Sequence, residues 1–265
     1  MRLELYQIDA FADAPFSGNP AAVIPLAEWL ADEVMQAIAL ENNLSETAFM
    51  VPTGDPRSWQ LRWFTPAMEV PLCGHATFAS GACILRHVRP ELEDVVFQSK
   101  SGHLTVERDG DGFVMDLPAG KAQQWQMPEV ALRALEVPVA VSGISTYPFV
   151  VLDNDEAVRS LDVHKALEAA RLAHDSGELV VCAPGDGDTD VTLRFFAPGA
   201  GVDEDPVTGS AITYIAPFWA KRLGKNAMRF FQASPRGGHV GVEVQGDRVL
   251  LSGQARDYLH GHIFL

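Results

Sequence analysis

The segments that decide the fold read LRWFTP at residues 61–66 and LRFFAP at residues 193–198. Each is followed by a glycine turn that opens a run rich in small residues, CGHATFASGACIL from Cys73 and TGSAITYIAPFWA from Thr208. Small side chains suit a helix that packs closely on its neighbours. Each copy therefore predicts the same order, a strand followed by a buried helix that begins near a glycine.

A third match follows each helix, with FQSKSGHLTVERDGDGF beginning at Phe97 and FQASPRGGHVGVEVQGD at Phe231. The arginines of the first match lie 132 residues apart, the glycines of the second 135, and the Phe-Gln pairs of the third 134. A nearly constant offset over three separate blocks predicts an internal duplication. The alternative is that similar strand, turn and helix chemistry produced similar text twice.

The remaining patterns predict an α+β fold in two halves, residues 1–121 and 122–265, with a C-terminal strand that is free to cross over. The segments LELYQIDAF, AAVIP and ETAFMVP have the apolar patterns of strands, and LAEWLADEVMQAIALENN and DEAVRSLDVHKALEAARLA have helical spacing. Each half ends in a hairpin with an Asp-Gly or Gly-Asp turn. We place the linker near residues 119–130, where the pattern lapses, and expect ligands to bind in the cleft between the halves.

Composition excludes several classes of protein. The chain has 265 residues and a formal net charge of -15 with no block of Lys and Arg, so its surface repels nucleic acid phosphates and anionic lipids. Three cysteines without a CxxC pair argue against a disulfide framework and a zinc ribbon. The sequence shows neither a signal peptide nor an apolar run of about 20 residues. We expect a cytoplasmic protein that binds no nucleic acid and no membrane.

Titratable residues gather at the two glycine turns. A helix start exposes backbone N–H groups and the positive end of the helix dipole, so Gly74 and Gly209 are candidate sites for a carboxylate or an enolate. His75 follows the first glycine, and Asp205 precedes the second with its direction fixed by Pro206. These residues predict a site for a small anionic substrate.

Each of these features also has a simpler interpretation. The two helices can be buried elements without a ligand, and Asp203 and Glu204 can complement the dipole of the helix that follows. Glu46, in NNLSETAFM, can be a solvated residue between a helix and a strand. The histidines show no metal-binding spacing apart from HGH at residues 260–262, which we expect to be solvated or satisfied.

The chain resembles the PhzF-like (phenazine biosynthesis-like) family of the diaminopimelate-epimerase-like superfamily in six ordered motifs. They are FSGNPAAV at 16–23, SETAF at 45–49, LCGHAT at 72–77, DEDPVTGSA at 203–211, SPRGG at 234–238 and LSGQA at 251–255. The resemblance implies two pseudo-symmetric halves, each a curved, mostly antiparallel sheet or partial barrel around a central helix. It also implies a homodimer, a small anionic substrate, and neither a metal nor an organic cofactor.

The resemblance assigns roles to single residues. Glu46 would carry a proton between two carbons of the substrate, and His75 would donate a hydrogen bond or proton to developing negative charge. Asp205 would orient His75 or bind an amine or hydroxyl of the substrate. The expected substrate-binding residues are Asn19, Gly74, Thr208, Gly209 and Ser210.

Two departures from the superfamily pattern bear on the mechanism. Epimerases and racemases of this fold resemble one another in using two opposed cysteines, but here Cys73 is matched by Thr208, whose hydroxyl is no thiolate. A two-thiol mechanism is therefore excluded, and we expect Cys73 to be a small buried residue at a helix start. Where relatives are expected to carry a His-Cys pair, this chain has Ile212-Thr213, which predicts a different choice of substrate.

Three functions remain open from the sequence. The first is a cofactor-independent isomerase or epimerase acting on a small carboxylate, with a glutamate as the proton carrier. The second is a binding or partner protein that kept the fold without the chemistry. The third is a hydrolase, metal-assisted in one form, or a lyase, using the same acidic residues.

Overall fold

The computed structural model describes residues 1–265, which form two compact units. Unit 1 comprises Met1–Asp116 and Ser252–Leu265, and unit 2 comprises Leu117–Leu251. The C-terminal segment thus packs with the N-terminal part of the chain. The domain bounds 1–121 and 122–265 stay a prediction. No helix is both long enough and apolar enough to cross a membrane.

Unit 1 is built around a sheet in which the first and last strands of the chain are neighbours. Its elements are β1 (Arg2–Ala10), β2 (Asn19–Pro25), α1 (Asp32–Asn42), β3 (Glu46–Pro52), β4 (Ser58–Phe64), β5 (Glu69–Val70), α2 (Gly74–Cys83), β6 (Asp94–Ser99), β7 (Gly102–Asp109), β8 (Gly112–Pro118) and β18 (Ala255–Phe264). β1 is antiparallel to β18 and β2, β2 is parallel to β3, and β3 is antiparallel to β4. β4 is antiparallel to β5 and parallel to β6, and β6, β7 and β8 follow as antiparallel neighbours.

Unit 2 repeats this order of strands and their directions. Its elements are β9 (Gln123–Gln124), α3 (Glu129–Leu135), β10 (Val141–Ile144), β11 (Pro148–Val151), α4 (Asp155–Arg159), α5 (Val163–Ala173), β12 (Leu179–Pro184), β13 (Val191–Ala197), β14 (Val202–Asp205), α6 (Gly209–Leu223), β15 (Ala227–Gln232), β16 (Gly238–Gln245) and β17 (Arg248–Gly253). The pairs β9–β10, β10–β11, β12–β13, β13–β14 and β15–β16 are antiparallel, and β11–β12 and β13–β15 are parallel. The predicted α+β class is confirmed.

Helix α2 forms the centre of unit 1, because all ten of its residues are buried. It contacts β1, β2, β3 and β7. Its small residues allow the sheet to approach closely: a Cβ atom added at Gly81 would lie 2.4 Å from the side chain of Val106 on β7. A run of small residues therefore fixes the distance between helix and sheet.

Two helices differ from their predicted bounds. The segment at residues 26–43 becomes helical only at Asp32, since Leu26 still donates its backbone N–H to the carbonyl of Met50 on β3. The segment at residues 155–173 divides into α4 and α5, because the Asp162 side chain caps the second helix by accepting from the Lys165 N–H at 3.0 Å. The predicted linker near residues 119–130 contains β9 and the start of α3.

Candidate active site

A strained turn places Asn19 at the start of β2. Between β1 and β2 the backbone angle φ is positive at Phe11, Phe16 and Gly18, with values of 56°, 67° and 70°. A Cβ atom at Gly18 would lie 2.3 Å from the carbonyl oxygen of Ala10, so only glycine fits there. Asn19 follows directly with a fully buried side chain.

Three further residues of unit 1 lie close to one another, and one of them, His75, contacts Asn19. Glu46 is the first residue of β3, which runs parallel to β2 with Ala21 opposite Glu46. His75 is the second residue of α2, and Cys73 is the N-cap residue of that helix. The Cys73 side chain makes no capping hydrogen bond, so no side chain caps the first N–H groups of α2 from that position.

The imidazole of His75 is held on both edges. Asn19 Nδ2 lies 3.1 Å from His75 Nδ1, and Cys73 Sγ lies 3.5 Å from the same nitrogen. On the other edge, His75 Nε2 lies 3.1 Å from Glu46 Oε2. The two atoms are within ion-pair distance but do not align as a hydrogen bond, so the buried Nε2 has no hydrogen-bond partner in the resting protein.

Burial decides the charge of this imidazole. Desolvation lowers the pKa of His75 to about 3, from an ordinary value of 6.5. The ring is therefore neutral at pH 7, and its contact with Glu46 is not a pair of opposite charges. A neutral histidine has one N–H donor and one nitrogen acceptor, so it can stabilise negative charge by donating a hydrogen bond.

The same residues offer a possible donor set for a metal ion. Ligand atoms of Glu46, Cys73 and His75 lie within 4.8 Å of one another. The thiol, however, faces Nδ1 and the carboxylate faces Nε2, on opposite edges of one ring. The three donor atoms are close enough to share one ion, and the same imidazole and carboxylate are also groups that take part in proton transfer.

The second group of expected site residues lies in unit 2, at the start of α6. Asp205 ends β14, and its Oδ2 accepts a hydrogen bond from the Thr208 hydroxyl. The buried amide of Gln232 fixes this turn, because Oε1 accepts from the Thr208 N–H at 2.8 Å and Nε2 donates to the Asp205 carbonyl at 2.7 Å. Gly209 and Ser210 are the first two residues of the helix.

Ser210 has a neighbour that the sequence did not single out. The hydroxyl groups of Tyr147 and Ser210 lie 3.3 Å apart, and burial raises the pKa of Tyr147 to about 12. Gln232 was also missed, although it belongs to the repeated Phe-Gln pair. Its counterpart Gln98 is exposed and hydrogen-bonds Ser58. The same two-residue motif therefore has a buried glutamine in unit 2 and an exposed one in unit 1.

One of the acidic residues before α6 pairs with an arginine and does not complement the dipole of that helix. Glu204 accepts two hydrogen bonds from Arg194 on the neighbouring strand, at 2.7 and 2.8 Å, which corrects the expectation that it serves the helix start. Unit 1 has the equivalent pair, in which Arg62 donates to both oxygens of Glu69 at 2.8 and 3.0 Å. Hydrogen bonds from Arg62 lower the pKa of Glu69 to about 2.

The structure also gives the positions of the other residues that the sequence analysis named. Ile212 and Thr213 are buried in α6, and the Thr213 hydroxyl donates to the carbonyl of Ser210 at 2.8 Å. His260 stacks on Tyr6, with ring centroids 4.1 Å apart. A cavity of about 760 Å³ lies in unit 2 beside β9 and β10, and none of the candidate residues lines it.

The sequence of this chain matches a known family of proteins over most of its length. The family model described as phenazine biosynthesis-like protein matches residues 8–261. The chain belongs to the phenazine biosynthesis-like family. An uncharacterized isomerase of Pseudomonas aeruginosa is 44% identical over 266 residues, which cover 100% of both chains.

Solved structures agree with this assignment. A phenazine biosynthesis protein of the PhzF family from Enterococcus faecalis matches with a TM-score of 0.92 and 38% identity, over 100% of both chains. A hydroxyproline epimerase from Agrobacterium vitis matches with a TM-score of 0.66 at 12% identity, over 99% of this chain and 91% of that one. The second likeness concerns the fold alone. The predicted family and its epimerase-like fold are therefore confirmed.

Proposed function

We propose that this member of the PhzF-like family is an isomerase that moves a proton between two carbon atoms of a small carboxylate, with Glu46 as the proton carrier. The observation that carries the proposal is the contact between Glu46 and a neutral, buried His75 whose Nε2 has no hydrogen-bond partner. The family match and the relative named as an isomerase support the reaction class.

Each step follows from the properties of these side chains. The Glu46 carboxylate takes a proton from a carbon next to a carbonyl or imine group and becomes a carboxylic acid. The electron pair of the broken C–H bond moves onto the substrate's oxygen or nitrogen, where the His75 N–H and the first amides of α2 stabilise it. Glu46 then returns the proton to a second carbon, and the protein ends in its starting state.

The expected residues of unit 2 enter the proposal as substrate contacts. Asp205 accepts from Thr208, and Ser210 lies near Tyr147, so hydroxyl groups are already ordered at the start of α6. In this proposal, Asp205 binds an amine or hydroxyl of the substrate. Thr208, Gly209 and Ser210 bind its carboxylate through hydroxyl and backbone N–H groups.

The experiment is deuterium exchange. The protein is incubated in deuterated water with a panel of small unsaturated and amino carboxylates, and each carbon-bound hydrogen is followed by NMR. An isomerase replaces a specific hydrogen with deuterium. Glu46→Gln is expected to abolish this exchange with the fold retained, whereas Glu41→Gln, an exposed acid on α1, leaves it intact.

The competing functions predict other outcomes. A binding protein would shift ligand resonances without exchange, and a hydrolase or lyase would split the ligand into two products. Loss of activity with a chelator, restored by a metal, would favour the metal-assisted hydrolase. Exchange that persists unchanged in Glu46→Gln would remove Glu46 from the mechanism.

Two further expectations belong to this proposal. We propose that the chain arose by duplication, which is supported by the matching strand pairings in the two units and by the pairs Arg62–Glu69 and Arg194–Glu204. A superposition in which β1–β8 fails to match β10–β17 would contradict it. We also propose a homodimer, supported by the exposed apolar residues Tyr258 and Phe264 on β18, and tested by light scattering coupled to size-exclusion chromatography.

A further inference from the structure

We propose that Asn19 is a positioning residue that fixes the tautomer of His75, so that the ring proton sits on Nε2, beside the Glu46 carboxylate. The sequence-based expectation was that Asn19 binds substrate directly. The structure supports a different task, because the Asn19 side chain is fully buried and its amide nitrogen lies 3.1 Å from His75 Nδ1.

The nearer neighbour of Nδ1 can only donate a hydrogen bond. The Asn19 amide nitrogen carries only N–H groups, whereas the Cys73 thiol, with its sulfur 3.5 Å away, is a weak donor and a weak acceptor and so suits either tautomer. An N–H at Nδ1 would point at the amide N–H of Asn19, whereas a lone pair at Nδ1 accepts from it. Because a neutral imidazole carries one proton, that proton is then on Nε2.

The position of this proton matters because of what faces Nε2. Glu46 Oε2 lies 3.1 Å away, and a lone pair at Nε2 would repel the carboxylate electrons. With the proton on Nε2, the ring presents an N–H that has no hydrogen-bond partner in the resting protein. A buried donor of this kind favours an incoming oxygen that gains negative charge.

The backbone holds Asn19 for this task. Gly18 adopts a left-handed conformation in which any side chain would collide with Ala10, and Asn19 then begins β2 opposite Ala10 in the antiparallel pair. The amide therefore reaches His75 from a rigid strand. The effect on turnover rests on the proposed function, but the tautomer is a property of the resting protein.

The experiment is a long-range ¹H–¹⁵N NMR spectrum of protein labelled with ¹⁵N-histidine at pH 7, in which protonated and unprotonated ring nitrogens have well-separated shifts. His75→Gln identifies the signals of His75 among those of the eight histidines. We expect Nδ1 to be unprotonated and Nε2 protonated. A protonated Nδ1 in the wild-type protein overturns the proposal without any variant.

A variant then assigns the effect to Asn19. In Asn19→Asp the carboxylate can only accept, so Nδ1 should gain a proton and its signal should move to the protonated range. Asn42→Asp adds the same charge in unit 1 at a residue that bonds Thr47, and it should leave the His75 signals in place. Nδ1 unprotonated in a folded Asn19→Asp protein would contradict the proposal.

Kinetics separate positioning from substrate binding. Once a substrate is known, Asn19→Asp should lower kcat by roughly 10²–10⁴-fold, as expected for a misplaced catalytic proton, with KM little changed. A change confined to KM would show that Asn19 binds substrate instead. Failure to find deuterium exchange would contradict the isomerase proposal alone. The ¹H–¹⁵N spectrum of the His75 ring does not depend on turnover, so it tests the tautomer independently.

Discussion

At the scale of single residues, the site depends on His75 remaining neutral. Burial, rather than a charged partner, lowers its pKa to about 3. In the proposed mechanism, a neutral ring leaves proton transfer to Glu46 and keeps the histidine as a hydrogen-bond donor across the physiological pH range. The division of labour between acid and donor therefore follows from the depth of one side chain in unit 1.

His75 should make the protein sensitive to acid. In the unfolded chain it takes up a proton below about pH 6.5, but in the folded protein it does so only near pH 3. The unfolded state thus binds more protons, and the free energy of unfolding falls as the pH drops through this window. Urea titrations of His75→Gln should show a smaller fall than wild type, and His103→Gln, on an exposed part of β7, should behave as wild type. Equal slopes for His75→Gln and wild type would contradict the expectation.

Gly18 should be the least replaceable residue of the turn before Asn19. Gly18→Ala forces an alanine to φ near +70° and brings its Cβ to 2.3 Å from the Ala10 carbonyl oxygen. We expect a loss of about 2–4 kcal/mol in the free energy of unfolding. Gly54→Ala is the control, because no atom lies within 4 Å of the added Cβ, and thermal or urea unfolding should detect little change there.

At the scale of elements, α2 links packing to chemistry. The helix is buried on all sides, so any side chain added to it displaces the sheet. Its first turn carries His75, and its middle packs on β7 through Gly81. A shift of the middle of the helix therefore also changes the distance between the side chains of His75 and Glu46.

Gly81→Ala tests this link. The added Cβ would lie 2.4 Å from the Val106 side chain, and overpacking of this kind costs about 1–3 kcal/mol in unfolding free energy. Val106→Ala removes the two colliding Cγ atoms, at 2.4 and 2.8 Å, but keeps the Cβ atom at 2.5 Å. The double variant should therefore recover part of the loss, which a double-mutant cycle measures. Simple additivity of the two losses would show that the collision is not their cause.

The arginine pairs hold short strands at the ends of longer ones. Arg194 and Glu204 have side chains that are only 5% and 8% exposed, so Glu204→Gln leaves a buried charge without its counter-ion. We expect a loss of about 3–5 kcal/mol in unfolding free energy, measured by urea denaturation. Asp203→Asn, on an exposed residue of the same strand, should change little. A loss for Glu204→Gln as small as the control's would contradict the importance of the pair.

At the scale of the whole molecule, the repeated text predicted the class of fold because apolar periodicity and glycine turns are local signals. The strands at ETAFMVP and LRWFTP and the two helices at Gly74 and Gly209 lie where the sequence placed them. The late start of α1 was not predictable, since it depends on a hydrogen bond from Leu26 to a strand more than twenty residues further on.

The candidate site was predicted in part. Motifs identified Glu46 and His75, but the sequence did not show that they would lie 3.1 Å apart. Asn19 was named from its motif as a substrate contact, but its buried contact with His75 was not foreseen, and Gln232 was not singled out. Both amides acquire their partners only through tertiary contacts. Tyr147 was missed for the same reason, because its neighbour Ser210 lies 63 residues away in the chain.

The pairing of β18 with β1 has a consequence for biosynthesis. β1 is translated well before β18, one of its two neighbours, because the chain between Ala10 and Ala255 must be made first. Until then the N-terminal strand has an open edge, where nascent chains are vulnerable to mispairing. A chaperone that shields this edge during translation would therefore improve the yield of native protein.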